Sequence, residues 1–202
     1  MSGHSIDDEM SPRKQVTVTS DAHFGIEECA ALDFGAAQFE DCAFDHGNLG
    51  GRDLVGARFV DCIFDTCDLV VAKLVDCVFL RVRFRGCRLG GINWSQARKL
   101  ESVSFENCQL NDGSFLGLRL EDCAFTDCVA RGAIFRDANL SKVTFRGSNL
   151  AMAEFVNCDL RGADFRGATE YVLSPVENRV EKARFSLPEA MNLLKGFGIV
   201  LD

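Results

Sequence analysis

A large apolar residue returns at every fifth position through most of this chain. Phe39, Phe44, Leu49, Leu54, Phe59, Phe64, Leu69, Leu74, Phe79, Phe84, Leu89 and Trp94 carry the beat. After one extra residue it resumes at Phe105, Leu110, Phe115, Leu120 and Phe125, skips at Ala130, and runs on from Phe135 to Phe165. Helices repeat near 3.6 residues and strands at 2, so neither element explains a period of five. Self-similarity at a fixed short period points to a solenoid. Two places before each large residue sits a small or thin one, such as Ala37, Cys42, Gly47, Ala57, Cys62, Cys67, Cys77 and Cys87. The other three places are mostly polar. Two inward residues in five describe a chain that turns a corner every five residues, so that four corners close a square coil of 20. The large residues then stack up the middle and the thin ones fill beside them.

Units such as Ala138-Asn139-Leu140-Ser141-Lys142 and Ala163-Asp164-Phe165-Arg166-Gly167 resemble the pentapeptide-repeat family, over roughly residues 34–165. The resemblance implies an all-β solenoid, a right-handed quadrilateral β-helix of about seven coils. With coils about 4.8 Å apart, the rod is roughly 34 Å long. Residues 1–15 read as a disordered or loosely attached tail. Residues 16–185 read as the β-helix, with a slip or small bulge at 95–104. Residues 186–202 read as a C-terminal helix and apolar tail. Each coil buries its interior only against its neighbours, so both ends need caps.

Several function classes lose support. No stretch of 18 apolar residues is present, and the first residues lack the basic-then-apolar order of a signal peptide, so a cytoplasmic protein is expected. Nine of the ten cysteines occupy the thin inward slot, and only Cys29 falls in a large-residue slot. Thiols pack as small hydrophobes, and a cytosol keeps them reduced. No C-x-x-C pair occurs, so no metal site is expected. His4, His23 and His46 have no clear nucleophile near them in sequence, and phosphate-loop, zincin and nucleophile-elbow motifs are missing. The expectation is a non-enzymatic binding protein without catalytic residues or cofactors. Arg52 breaks the pattern by taking a thin slot after Gly50-Gly51; because an unpaired buried guanidinium is costly, it should reach outward or the backbone should shift.

Charge is the feature left over. Residues 21–80 carry twelve acids against three bases, a net of −9. Along the rod this is about one charge per 1.6 Å, close to the ~1.7 Å of duplex DNA. Asp21, Asp41 and Asp61 are one coil apart and should form a vertical row, with Asp45 and Asp65 forming another. Residues 81–100 then reverse to +6 with no acid. An acidic solenoid surface also serves solubility alone, and a single basic band on a chain of net charge −8 is a weak footprint for direct nucleic-acid binding.

At the C-terminus, Ser186-Leu187-Pro188-Glu189 reads as a capping box. Leu187, Ala190, Met191 and Leu194 follow helical spacing, Gly196 and Gly198 end the helix, and Phe197 and Ile199 add apolar surface. This module either covers the open end of the core or packs against a second copy. The stretch from Tyr171 onward and the Ile92-Asn93-Trp94-Ser95 turn resemble the quinolone- and albicidin-resistance branches of the family, which implies a homodimer formed through Leu187, Met191, Leu194, Phe197 and Ile199. It further implies binding to DNA gyrase or topoisomerase IV by DNA mimicry. The acidic rows would be the contact, with Ser95, Gln96, Arg98 and Lys99 as a further contact loop. Those branches often carry longer loops, where this chain has only the one-residue slip. The alternative is a scaffold or regulatory protein with another protein partner.

Overall fold

The computed structural model describes residues 17–121 and 123–200; the expected tail at 1–15 lies outside them. The chain forms a parallel β-solenoid. One sheet holds β1 (Val18–Ser20), β3 (Gln38–Glu40), β5 (Arg58–Val60), β7 (Val78–Leu80) and β9 (Lys99–Glu101), in that order. The next face holds β2 (His23–Phe24), β4 (Ala43–Asp45), β6 (Ile63–Asp65), β8 (Arg83–Arg85), β10 (Ser104–Glu106) and β11 (Ala124–Thr126). Bridges such as Asn48↔Asp68 and Asp53↔Lys73 define two further faces, and bridges continue the ladders to Arg184. Early coils pair at a spacing of 20 residues, as in Phe39↔Phe59. Above them the register becomes 21, as in Phe79↔Leu100. The extra residue is taken up by a short 3-10 turn at Trp94–Gln96.

The five-residue beat becomes columns of rings. Phe44 and Phe64 stack at 4.5 Å, Phe64 and Phe84 at 4.9 Å, and Phe84 and Phe105 at 5.3 Å. The same column continues to Phe165 and Phe185 at 5.1 Å. Trp94, Phe115, Phe135 and Phe155 stack on another side.

The thin slots have a second duty. Each corner leaves a carbonyl turned inward, and the thin side chain of a later coil donates to it. Cys62 Sγ donates to the Phe39 carbonyl at 3.4 Å and Cys87 Sγ to that of Phe64 at 3.3 Å. Ser148 Oγ does the same to Phe125 at 3.1 Å, and Asn178 Nδ2 to Phe155 at 2.9 Å. Buried polar groups need such partners, and a thiol is the smallest apolar side chain that still carries a donor. All ten cysteines are buried free thiols. Burial pushes Cys62 and Cys77 up to about 12, so both stay protonated and able to donate.

The N-terminal end is closed by α1 (Ile26–Ala31), which delivers Cys29 to the core. Gly47 makes room for it, because a Cβ there would lie 2.8 Å from Cys29 Sγ. Arg52 reaches out of its thin slot to this helix. Its guanidinium donates to the carbonyls of Ala30 (2.9 Å), Leu32 (2.6 Å) and Cys29 (3.3 Å) and lies 5.5 Å from the Phe34 ring centre. A cation on the last carbonyls of a helix suits its dipole. Arg52→Met is expected to cost about 1–3 kcal/mol, because those carbonyls are left unmet. The check is a denaturant titration with hydrogen exchange at α1; unchanged protection there would remove the capping role.

The C-terminal module differs from the capping-box expectation. Ser186 Oγ accepts from the Gly167 N–H at 2.9 Å, tying the segment back to the solenoid. The helix begins as a 3-10 turn at Glu189–Met191 and continues as α2 (Asn192–Lys195). Leu193 packs against the core, and Gly196 ends the helix.

Candidate functional surface

The corners place the acidic residues. Asp21, Asp41 and Asp61 sit at left-handed corner positions with φ of 52–53°, and Arg81 follows at 54°. Aspartate tolerates this region better than most L residues. Successive corners are tied by Asp21 N–H to the Glu40 carbonyl (3.1 Å) and Asp41 N–H to Val60 (3.0 Å), so the row is built by the ladder itself. The second row is in strand register: Asp45 pairs with Asp65, and Asp65 with Arg85. The structure therefore brings all five aspartates onto two adjoining edges of the first coils.

Their local partners divide them. Arg81 grips Asp61 through two hydrogen bonds of 2.6 Å, which hold its carboxyl below the usual carboxylate range. Asp45 Oδ1 lies 2.6 Å from His46 Nδ1, and Asp65 Oδ1 accepts from the Thr66 hydroxyl at 2.8 Å. Neither contact supplies a full cation at neutral pH, since an ordinary histidine is then mostly neutral.

The basic band is largely taken up by neighbouring coils, which sequence order could not show. Arg81 meets Asp61, Arg88 meets Asp68 at 2.6 Å, Arg85 meets Glu106 at 3.6 Å and Lys99 meets Glu101. Among the described residues, Arg83 and Arg98 are the members of the band without an ion pair. The signal available in the sequence was the 20-residue offset between Arg81 or Arg88 and its acid.

The four residues expected in a contact loop separate. Ser95 and Gln96 lie in the 3-10 turn, where Ser95 Oγ donates to Asn93 Oδ1 at 2.5 Å. Arg98 follows the turn, and Lys99 is the first residue of β9. At the C-terminal end, Leu187 is 78% exposed, Phe197 55%, Ile199 46% and Met191 45%, while Leu194 is half-buried. Among the described residues no helix is long and apolar enough to cross a membrane, and no cluster of three or more histidine, cysteine or acidic side chains could hold a metal ion.

Comparison with known proteins agrees with this architecture. The family profile described as pentapeptide repeat region matches residues 37–98 and 98–170. No curated protein sequence matches. Among solved structures, the chain is similar to a trypsin-treated variant of QnrB1, described as a plasmid-mediated fluoroquinolone resistance protein, at 19% identity and a TM-score of 0.62, covering 93% of this chain and 98% of that one. A second trypsin-treated QnrB1 variant gives 18% identity and a TM-score of 0.50 over the same shares. HetL, described as a pentapeptide repeat protein involved in heterocyst differentiation regulation, from the cyanobacterium Nostoc sp. strain PCC 7120, gives 17% identity and 0.47, covering 83% and 82%. At these identities the likeness is one of fold.

Proposed function

Because the chain belongs to the pentapeptide-repeat family, we propose that it is a non-enzymatic DNA mimic that binds DNA gyrase or topoisomerase IV and modulates the enzyme or shields it from inhibitors. The observation that supports this reading best is the pair of adjoining aspartate rows, repeated at the ladder spacing along a rod. A rigid column of carboxylates presents charge at fixed intervals, as a phosphate backbone does, and such a surface steers association with a basic DNA saddle. Within the rows, Asp21, Asp41, Asp45 and Asp65 have no Arg or Lys partner among the described residues and would carry the contact. The likeness to a fluoroquinolone resistance protein guides the choice of enzyme to test, though not the residues.

The same reading includes a homodimer through the C-terminal module. Its apolar side chains Leu187, Phe197 and Ile199 remain exposed after Leu193 has covered the end of the core. Two roughly 34 Å rods joined end to end give about 70 Å of mimic. Deleting the chain after Phe185 is expected to convert dimers to monomers in multi-angle light scattering; a dimeric mass for the truncated protein would refute this interface.

The test of function is supercoiling by purified gyrase with this protein titrated in, with and without a quinolone. Rescue of the poisoned enzyme is expected, and inhibition of the unpoisoned enzyme alone would still support mimicry. No effect in either arm, together with no binding in a pull-down, would sink the proposal.

A further inference from the structure

The solenoid is split once, on the face that carries β9. On this face β1, β3, β5, β7 and β9 are paired in turn, and Arg119, Asn139, Asp159 and Arg179 are bridged in turn above them. Between β9 and the Arg119 segment no bridge forms among the described residues. At the same level the other three faces are closed, by β10 with β11, Gln109↔Val129 and Ser114↔Ile134. The repeat elsewhere shows what this face lacks. Leu120 N–H donates to the Asn139 carbonyl (2.8 Å), Arg81 N–H to Glu101 (2.9 Å) and Asn139 N–H to Leu118 (2.8 Å). The equivalent bonds here would run from Leu100 to Arg119, from Ser102 to Glu121 and from Arg119 to Arg98. None forms among the described residues.

The cause lies in one side chain. Leu118 occupies the thin slot that Cys77, Ala97, Ala138 and Cys158 fill in neighbouring coils, and it is only half-buried. A leucine is too wide for a place that fits alanine, and overpacking is relieved by backbone movement. The result is a cleft of about 510 Å³ between β9 and residues 117–121. Arg98, Lys99 and Arg119 line it with Glu101 and Glu121. Lys99 pairs with Glu101, and Arg119 with Glu121 at 3.0 Å, which leaves Arg98 as the cation without an ion pair. Glu121 Oε2 is buried with no hydrogen-bond partner.

We propose that this cleft is a docking site for an extended acidic peptide segment of a protein partner, which adds a short strand between β9 and the Arg119 segment. Both edges offer unmet N–H and C=O groups, a pattern that an extended peptide satisfies and a simple anion does not. The surplus cation, Arg98, selects acidic side chains on the outer face of the inserted strand. This site is tested without a topoisomerase, so its failure leaves the proposed function untouched.

The probe is the capped pentapeptide Asp-Val-Asp-Val-Asp, titrated into the full chain and followed by amide NMR. Saturable shifts are expected at the Leu100, Ser102 and Arg119 amides. Leu118→Ala narrows the side chain to the size the slot accepts and should let the ladder close. It should weaken the peptide by about tenfold or more and slow exchange at Leu100 and Ser102 by a similar factor, the worth of about one hydrogen bond. Arg98→Glu should likewise abolish binding. The same peptide methylated at its backbone nitrogens keeps its charge and should bind about tenfold more weakly. No binding to the wild type at millimolar peptide, equal binding of the methylated peptide, or unchanged binding and exchange in Leu118→Ala would each overturn the proposal.

Discussion

Replacing Phe64 by alanine is expected to lower the unfolding free energy by about 3–5 kcal/mol, the usual cost of removing a buried ring and leaving a cavity. Phe64 is fully buried and stacked at 4.5 Å on Phe44 and 4.9 Å on Phe84, with Phe59 edge-on at 5.2 Å. In a globular core, neighbours from several directions can move into such a hole. Here the ring above and the ring below are each fixed by their own ladder, so collapse along the column is blocked. The measurement is urea unfolding followed by circular dichroism. A loss below about 1 kcal/mol would mean that the column repacks freely, against the expectation for ladder-fixed neighbours.

Reversing Asp21, Asp41, Asp45 and Asp65 to lysine is expected to weaken gyrase binding roughly a hundredfold or more while leaving the protein folded. Asp61 is left in place because its loss would strand Arg81. The backbone should tolerate the change. Asp21 and Asp41 hold left-handed corners, but Lys142 and Lys182 occupy equivalent corners at φ of 63° and 62°. Isothermal titration with the enzyme, next to a thermal melt of the variant, separates the two effects. Unchanged affinity in a folded variant would take these rows out of the interface.

The fold was legible because its signal is periodic. A side chain that must point inward every fifth residue leaves the same mark from Phe39 to Phe165, and no other element shares that period. The aspartate rows were legible for the same reason, since a fixed coil length turns sequence offset into vertical distance. The cysteines were half legible. Their slot showed that they pack inside, but the carbonyl each thiol meets comes from an earlier coil, 23 residues back between Cys62 and Phe39. The capping box at Ser186 was misread because the Gly167 N–H competes for the same hydroxyl, and only the folded chain brings the two together.

The repeat alone therefore determined which residues face the core, how the coils stack and where the carboxylates line up. Each of those follows from local periodicity, which a linear sequence carries in full. The tertiary structure decided which charges remain free, that Arg52 holds the N-terminal helix, and that Leu118 opens one face. These outcomes depend on contacts between coils, where one oversized or charged side chain meets whatever the next turn of the solenoid happens to place above or below it.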